Sequence, residues 1–329
     1  MLAQNKRYKI LSIDGGGIRG IIPALILMEI EKRTNKPISE LFDLMAGTST
    51  GGILTLTLNI PNENGKARYT AEDLVLLFRK KGRQIFSKDR WRSIMTGLGI
   101  LDERYSHYSL EKLLDEYCGD VELKSAVTEV LITSYDLEKT RKPFFFKSRL
   151  ARVQEAQNFK MKSIIRATTA APTYFEPLKL LNRVDSSIYY SLVDGGIVAN
   201  NPAMCAFAEA LVLNQSNVLM VSLGTGAKSE QIKHQDAVNW GLIHWIRPLI
   251  MLMMNGNSEA VNYQLREIFS AREGNDYYRI QLELPMDNRY IHQMDNATER
   301  NLQQLEKLAK ELIVNEDKTI DEICHKLEA

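Results

Sequence analysis

Residues 44–52 read Leu-Met-Ala-Gly-Thr-Ser-Thr-Gly-Gly, an apolar run that breaks into the pattern Gly-x-Ser-x-Gly. This pattern is typical of a nucleophile elbow, a sharp strand-to-helix turn whose small flanking residues leave room for a strained serine. The surroundings fit, because residues 42–46 predict a short buried strand and residues 52–58 predict the start of an apolar helix. Small residues around a serine also fill ordinary turns. Ser49 is therefore a candidate nucleophile only if the chain supplies an oxyanion hole and a base.

A glycine loop lies upstream of this turn. Residues 8–13 predict a strand, the loop Asp14-Gly-Gly-Gly-Ile-Arg-Gly20 follows at once, and apolar residues then recur at helical spacing over 21–30. Such a loop places several backbone N–H groups at a helix N-terminus, which suits an anion.

One interpretation of the loop is a dinucleotide site, because Gly15-x-Gly17-x-x-Gly20 matches that fingerprint formally. The fingerprint requires an acidic residue at the end of the second strand, where it binds the ribose. Asp43 stands near the right distance but precedes its strand, and the strand ends in the Ser49 turn instead. A nucleotide-binding protein therefore remains only a less favoured alternative.

A phosphate-binding Walker loop is excluded, since two isoleucines follow Gly20 where Lys and Ser or Thr are required. The remaining anion is the transient oxyanion of an acyl transfer. The backbone N–H groups of Gly15, Gly16 and Gly17 would stabilise it, and Arg19 would add a fixed positive charge. The alternative for Arg19 is a solvated side chain in the first helical turn.

The base is not a histidine on local pattern. None of the five histidines stands in a sequence context that marks a general base: His107, His234, His244, His292 and His325. Asp194 is better placed, because it follows a strand predicted at 188–193 and opens the turn Asp194-Gly195-Gly196. Asp-Gly is also a common turn dipeptide, so the residues alone leave an ordinary turn open.

Composition sets the remaining bounds. The chain has 329 residues, 44% hydrophobic and 25% charged, with a net charge of +1, so no global field favours nucleic acid. Cys118, Cys205 and Cys324 stand far apart and form no Cys-x-x-Cys pattern, which favours buried thiols in a reducing compartment. Met1–Tyr8 has no apolar region typical of a secretory signal, so we expect a cytoplasmic protein. No loop offers the alternating acidic ligands of a calcium site, and we expect neither metal nor cofactor.

Three further segments carry open interpretations. Residues 78–92 are rich in Lys and Arg, which fits either docking on an anionic lipid surface or a solvated helix face. Residues 95–101, with Gly97 and Gly99, predict a loop that could cover the site. The apolar residues 242–254 could line an acyl-chain groove, lie at a bilayer interface, or pack in the core or a dimer. A helical stripe over 302–313 is expected to close the domain.

Four motifs, in this order, together resemble the patatin-like phospholipase family. They are Asp14-Gly-Gly-Gly-Ile-Arg-Gly20, Gly47-Thr-Ser-Thr-Gly51, Ala170-Ala-Pro-Thr-Tyr-Phe175 and Asp194-Gly-Gly-Ile-Val-Ala-Asn-Asn-Pro202. The similarity extends through Trp240-Gly-Leu, 254–258 and 294–297, so we expect a single domain over 1–329. The resemblance implies a three-layer α/β/α fold with a mainly parallel central sheet.

The resemblance also implies a function and a site. Ser49 would be the nucleophile and Asp194 its only partner in a Ser-Asp dyad, with Gly15–Gly17 and Arg19 as the oxyanion hole. The activity implied is a lipid acyl hydrolase that cleaves fatty acyl esters of phospholipids or lysophospholipids through an acyl-serine, without metal or cofactor. An ordinary Asp is a weak base at neutral pH, so we expect burial to raise the pKa of Asp194.

Several alternatives stay open at this point. An acyltransferase could use the same acyl-enzyme with an alcohol or thiol as acceptor. We expect the lipid substrate to be met at a membrane surface, with peripheral membrane association as an alternative to a purely cytoplasmic location. The sequence does not decide whether the chain forms a homodimer or which head group and acyl chain it prefers. Nor does it decide on latency relieved by a ligand such as a cyclic nucleotide.

Overall fold

The structure is a computed structural model that describes residues 7–86, 103–172, 174–228, 232–285 and 290–329. The predicted covering loop at 95–101 and the second part of the basic segment, 87–92, lie outside these residues. Ten strands occur in the described ranges: β1 (Tyr8–Ile13), β2 (Leu44–Gly47), β3 (Glu129–Asp136), β4 (Pro143–Lys147), β5 (Leu178–Leu181), β6 (Tyr189–Asp194), β7 (Val218–Leu223), β8 (Ala227–Lys228), β9 (Asp276–Ile280) and β10 (Glu283–Leu284).

Helices surround the strands, beginning with α1 (Ile21–Thr34), α2 (Ile38–Leu41), α3 (Thr50–Thr57), α4 (Ala71–Phe86), α5 (Glu103–Cys118), α6 (Ser148–Val153) and α7 (Met161–Thr168). The second half of the chain adds α8 (Gly196–Ala199), α9 (Ala203–Val212), α10 (His234–Ala237), α11 (Leu242–Ser270), α12 (Glu299–Asn315) and α13 (Asp317–Glu328). Short 3-10 turns occur at Gly17–Gly20, Leu123–Ser125 and Glu155–Gln157.

The main sheet has the strand order β5-β6-β3-β2-β1-β7-β9, with β4 paired to β3. The pairs from β3 through β2, β1 and β7 to β9 are parallel, whereas β4, β5 and β6 pair antiparallel. Strands β8 and β10 form a separate two-stranded sheet. The sheet is therefore mainly parallel, as the family resemblance implies.

The central strands are apolar on both faces, because helices cover each side of the sheet. Successive side chains alternate between the faces: Leu11 belongs to one core and Ile10 to another, and Met45 and Ala46 divide in the same way. One core includes α1, α4 and α12, and the other includes α9 and the C-terminal half of α11. These two cores confirm the predicted three-layer α/β/α arrangement.

The stripe predicted over 302–313 forms α12. Leu302, Leu305 and Ala309 are buried there in the same core as α1. The following helix, α13, adds Leu327 to that core, which also contains Leu11 of the first strand. The two ends of the described chain therefore pack together.

The register of β3 explains how the Ser49 turn and Asp194 meet. Gly47 at the end of β2 pairs with Ile132, and Asp194 at the end of β6 pairs with Ser134, two residues further along β3. Since β4 occupies the opposite side of β3, the parallel strand β2 and the antiparallel strand β6 approach end to end along one side. The sequence placed Asp194 at an edge of parallel strands, but the contact depends on this antiparallel strand.

Candidate active site

Ser49 lies in a strained turn between β2 and α3. Its φ of 53° and ψ of −118° are values that residues with side chains rarely adopt. The two flanking glycines are required by space: a Cβ on Gly47 would lie 2.3 Å from the carbonyl oxygen of Gly51, and one on Gly51 would lie 2.1 Å from that of Ile13. The Ser49 N–H donates to Thr168 Oγ1 at 2.9 Å. The turn is therefore the compact elbow that the Gly-x-Ser-x-Gly pattern predicts.

Asp194 is buried beside this serine, with 4% of its surface exposed. Its Oδ1 accepts the N–H of Gly196 at 2.7 Å, and its own N–H donates to the carbonyl of Ala170 at 3.0 Å. Burial raises the pKa of Asp194 to about 6, against hydrogen bonds from the Ser49 side chain and the Gly196 N–H that lower it. The expected upward shift is confirmed: Asp194 is more basic than an ordinary carboxylate and lines the same cavity as Ser49.

The three glycines predicted to form the oxyanion hole are not equivalent. The Gly15 N–H donates to the carbonyl of Asn200 at 3.1 Å, so it is already used. Gly16 and Gly17 line the same cavity as Ser49 and Asp194, and within the described ranges their N–H groups have no backbone or side-chain acceptor. The structure thus leaves two of the three amides for an oxyanion.

Gly17 cannot carry a side chain. Its φ of +60° is the left-handed conformation, and a Cβ there would lie 2.2 Å from the carbonyl oxygen of Met294. That same carbonyl accepts the N–H of Ile18 at 2.8 Å. The loop is therefore pressed against a segment near the C-terminus.

Arg19 is not the solvated side chain that the sequence left as an alternative. Only 2% of its surface is exposed, and its Nε donates to the carbonyl of Gly16 at 3.4 Å. Burial lowers the pKa of Arg19 to about 10, although electrostatic interactions with Tyr174 and Asp14 oppose the shift. Arg19 is not among the residues that line the cavity. The guanidinium of Arg19 is therefore buried against the backbone of the glycine loop, outside the cavity wall.

The cavity that holds Ser49 and Asp194 is predominantly apolar. Its wall draws on several helices and on the loop after α7, and its apolar side chains include Ile53, Leu77, Ile85, Phe86, Leu113, Leu114, Ile165, Phe175, Ile197, Ile250, Met254 and Met294. Among the described residues, no Lys, Arg or His side chain lines it. This wall suits an acyl chain better than a nucleotide.

No described histidine competes with Asp194 for Ser49. The side chains of His234, His244, His292 and His325 are described, and none of the four lines the cavity. His292 is buried elsewhere, with Nε2 at 3.0 Å from the carbonyl of Pro285. His107 lies in α5. The titratable side chains that line the cavity in the described ranges are those of Tyr117, Cys118, Tyr174, Asp194 and Asp295.

Metal-ligating side chains do not gather in the parts of the chain that the structure describes. No three His, Cys, Asp or Glu residues there are placed to share an ion. All three cysteines are free, and Cys118 lines the cavity. Burial raises the pKa of the Cys118 thiol to about 12, so it stays protonated near neutral pH.

Sequence reasoning missed the groups that support the glycine loop. The carboxylate of Asp14 forms a buried ion pair with Arg279, and Thr225 Oγ1 donates to the carbonyl of Gly15 at 2.7 Å. The sequence did offer a signal for Asp14, because a charged residue directly before three glycines needs a partner if the loop is buried. No local sequence pattern indicates this role for Thr225 or for Arg279.

Helix α11 exposes apolar side chains next to this cavity. Leu249, Leu252 and Met253 are each about half exposed, while Ile250 and Met254 of the same turns line the cavity wall. The segment 242–254 is therefore split between the cavity and the protein surface. None of the helices in the described ranges is long and apolar enough to span a bilayer.

Comparison with known proteins gives consistent matches. The family model of the patatin-like phospholipases matches residues 11–207. The chain is 35% identical over 299 residues to "Probable inactive patatin-3-Kuras 1" of Solanum tuberosum, covering 83% of this chain and 78% of the relative. It is 33% identical to "Patatin-04/09" of the same plant, over 92% and 83% of the two chains. It is 30% identical to "Patatin-like protein 2" of Oryza sativa subsp. indica, over 97% and 86%.

Among solved structures, VipD from Legionella pneumophila aligns with a TM-score of 0.42 and 12% identity, covering 94% of this chain and 67% of that one. The three plant relatives are matched at 30–35% identity over most of both chains. The chain belongs to the patatin-like phospholipase family. This membership supports lipid acyl hydrolase activity in general.

Proposed function

We propose that this chain is a lipid acyl hydrolase that cleaves fatty acyl esters of phospholipids or lysophospholipids through an acyl-serine on Ser49. One observation carries the proposal: Ser49 and the buried carboxylate of Asp194 line one apolar cavity together with Gly16 and Gly17. Family membership alone is a weaker argument, because one relative is named as probably inactive.

In the first half-reaction, Asp194 accepts the proton of the Ser49 hydroxyl as Oγ attacks the ester carbonyl carbon. The carbonyl π electrons move to oxygen, and the N–H groups of Gly16 and Gly17 stabilise the resulting oxyanion. A pKa of about 6 leaves Asp194 ionised at neutral pH while making it more basic than an ordinary Asp.

Collapse of the tetrahedral intermediate breaks the bond between the carbonyl carbon and the leaving oxygen. Asp194 returns its proton to that oxygen, so an alcohol departs and the acyl group stays on Ser49. Water then repeats the sequence, with Asp194 as its base, and releases the fatty acid and the free serine. No group outside the chain other than substrate and water is needed to balance these steps.

Two features support a lipid as substrate. The cavity wall is apolar and provides acyl-chain contacts close to Ser49. The half-exposed residues Leu249, Leu252 and Met253 extend this apolar surface outside the cavity along α11. We propose that this face of α11 rests on the lipid surface from which the substrate is drawn.

The test is a mass-spectrometric survey of products from a mixed phospholipid and lysophospholipid panel. Wild type is compared with Ser49→Ala and Asp194→Asn, with Ser270→Ala and Asp120→Asn as matched surface controls. We expect each site variant to lose at least about 1,000-fold in rate, as for other members of catalytic constellations, and each control to retain activity. A fluorophosphonate should label wild type at Ser49.

The products separate the competing functions. Free fatty acid with lysolipid or glycerol-phosphodiester supports hydrolysis, whereas transfer of the acyl chain to an added alcohol or thiol in preference to water identifies an acyltransferase. Undiminished turnover by Ser49→Ala would refute the proposal. The same lipids are offered as vesicles and as detergent-dispersed monomers. Equal rates on both would remove the docking role of α11.

A further inference from the structure

Asp14, the first residue of the glycine loop, is held by Arg279, which lies in the C-terminal part of the chain. Arg279 Nη1 donates to Asp14 Oδ1 at 2.9 Å, and Nη2 donates to Oδ2 at 2.6 Å. Nη1 also donates to Ser222 Oγ at 2.9 Å, which ties the guanidinium to the end of β7. The side chain of Asp14 is 2% exposed and that of Arg279 is 8% exposed. The two charges thus form a fork-to-fork pair with little access to water.

Further contacts continue from this pair to the loop backbone. Ser258 Oγ donates to Asp14 Oδ2 at 3.4 Å and accepts Asn200 Nδ2 at 3.0 Å. The carbonyl of the same Asn200 accepts the Gly15 N–H at 3.1 Å. The ion pair and the first glycine are therefore joined both through the chain and through a ring of hydrogen bonds.

A buried ion pair adds little net stability, since desolvation offsets much of the attraction between its charges. It does fix geometry, because a bidentate arginine defines both the distance and the plane of the carboxylate. The carboxylate that is held here belongs to Asp14, which directly follows β1 and stands two residues before Gly16. The orientation of the following amides depends on how the chain leaves that strand.

We propose that Arg279 is a positioning residue for the reaction: through Asp14 it holds the glycine loop so that the Gly16 and Gly17 N–H groups face Ser49. The proposal rests on the hydrolase function proposed above. Arg279 lies on β9, well beyond the segment 11–207 that the family model matches. The part of the chain after residue 207 thus helps to form the oxyanion hole through Arg279, which does not itself line the cavity.

Loss of Arg279 should weaken the binding of the transition state and not that of the substrate. A displaced loop weakens contacts to the oxyanion while the acyl-chain wall stays intact, so kcat should fall and KM should stay nearly constant. Misplacement of about 1 Å costs about 100-fold in rate. We expect a loss of that order in Arg279→Met and a smaller loss in Arg279→Lys, which keeps the charge without the fork.

The test measures hydrolysis of p-nitrophenyl butyrate and the inhibition constant of a trifluoromethyl ketone, which forms a tetrahedral oxyanion on the serine. Arg279→Met, Arg279→Lys and the double variant Asp14→Asn/Arg279→Met are compared with wild type, and urea unfolding reports the stability of each. The control is Arg33→Met, which removes an arginine bonded to Glu29, Asp317 and Asp321 away from the cavity.

The double variant separates positioning from stability. It leaves no unpaired buried charge, so it should be more stable than Arg279→Met while its kcat stays about as low. The inhibition constant should rise in both by about the factor by which kcat/KM falls. Arg33→Met should lose stability and keep wild-type kcat.

Wild-type kcat and inhibition constant in folded Arg279→Met, or recovery of kcat together with stability in the double variant, would overturn the proposal. Ser49→Ala is assayed in parallel. If Ser49→Ala turned over the ester at the wild-type rate, the hydrolase function itself would fail. Normal kinetics in the Arg279 variants beside an inactive Ser49→Ala would remove the positioning role alone.

Discussion

The segment that contains Ser49 and Asp194 and the segment that contains Thr225, Arg279 and Met294 contribute to the site in different ways. The first provides the side chains that we propose react, and both lie at strand ends within short motifs: Asp194 is the last residue of β6, and Ser49 lies two residues after β2. The second provides contacts to the glycine loop, Asp14–Gly20, from residues more than two hundred positions further along the chain. Reacting groups are thus specified locally, whereas their orientation is specified by long-range packing.

The first way to challenge this difference is Gly51→Ala, for which we expect the largest effect. A Cβ there would lie 2.1 Å from the carbonyl oxygen of Ile13 and 2.9 Å from that of Asp14. Both are backbone atoms of β1 and its loop, so neither can rotate away. We expect a loss of at least about 3 kcal/mol in the free energy of unfolding, measured by urea denaturation, with a matching loss of hydrolysis.

Gly256→Ala is the matched control. Gly256 is exposed on α11, and a Cβ there would meet nothing within 4 Å. Because glycine is a poor helix former, we expect this substitution to raise the free energy of unfolding by about 0.5–1 kcal/mol. A fully stable and active Gly51→Ala protein would show that the elbow tolerates rearrangement and is not locally specified.

Much of this arrangement could be predicted from the sequence. The strand at Tyr8–Ile13 has the predicted bounds, because short apolar runs between polar turns favour buried strands. The turn at Ser49 follows from its own local pattern, whereas the mainly parallel sheet was implied by the family resemblance. The raised pKa of Asp194 was also expected, since an Asp of ordinary pKa would be a weak base at neutral pH.

Other features depend on which distant segments meet. The antiparallel direction of β6 depends on its pairing with β3, and no motif near residue 194 reveals that direction. The use of the Gly15 N–H by Asn200 likewise appears only once both loops are in place. The partnership of Arg279 with Asp14 has no sequence signal, because a single arginine in a strand has many potential partners.

A second prediction concerns the free energy of unfolding, which the buried carboxylate of Asp194 lowers. Burial raises the pKa of Asp194 from 3.8 to about 6, so the folded state holds its proton more tightly than the unfolded state. Above about pH 6 the ionised, buried carboxylate therefore destabilises the fold, and this cost disappears as the pH falls below 4. We expect Asp194→Asn to raise the free energy of unfolding by up to about 3 kcal/mol at pH 8.

The measurement is urea unfolding of wild type and Asp194→Asn at pH 4 and pH 8. Asp120→Asn is the control of opposite sign, because hydrogen bonds from Lys160 and Lys162 lower the pKa of Asp120 to about 2. That substitution should lower stability slightly at pH 8. An equal gain for Asp194→Asn at both pH values would attribute the effect to packing and not to charge.

The smallest expected effect concerns the supporting segment. Thr225→Val removes the hydrogen bond of 2.7 Å from Oγ1 to the carbonyl of Gly15 but keeps nearly the same shape beside Gly16. We expect a loss of about 1 kcal/mol in the free energy of unfolding and a reduction in kcat of several-fold at unchanged KM.

Thr225→Ser distinguishes the hydrogen bond from the packing, because it keeps the donor and loses the methyl group. If the bond orients the loop, the serine variant should approach wild-type kcat while the valine variant does not. Equal kcat in both variants would show that the contact only fills space. The orientation of the glycine amides would then depend on the Asp14–Arg279 pair without help from Thr225, and the supporting role of the C-terminal segment would narrow to that pair and to the contact of Met294 with the loop.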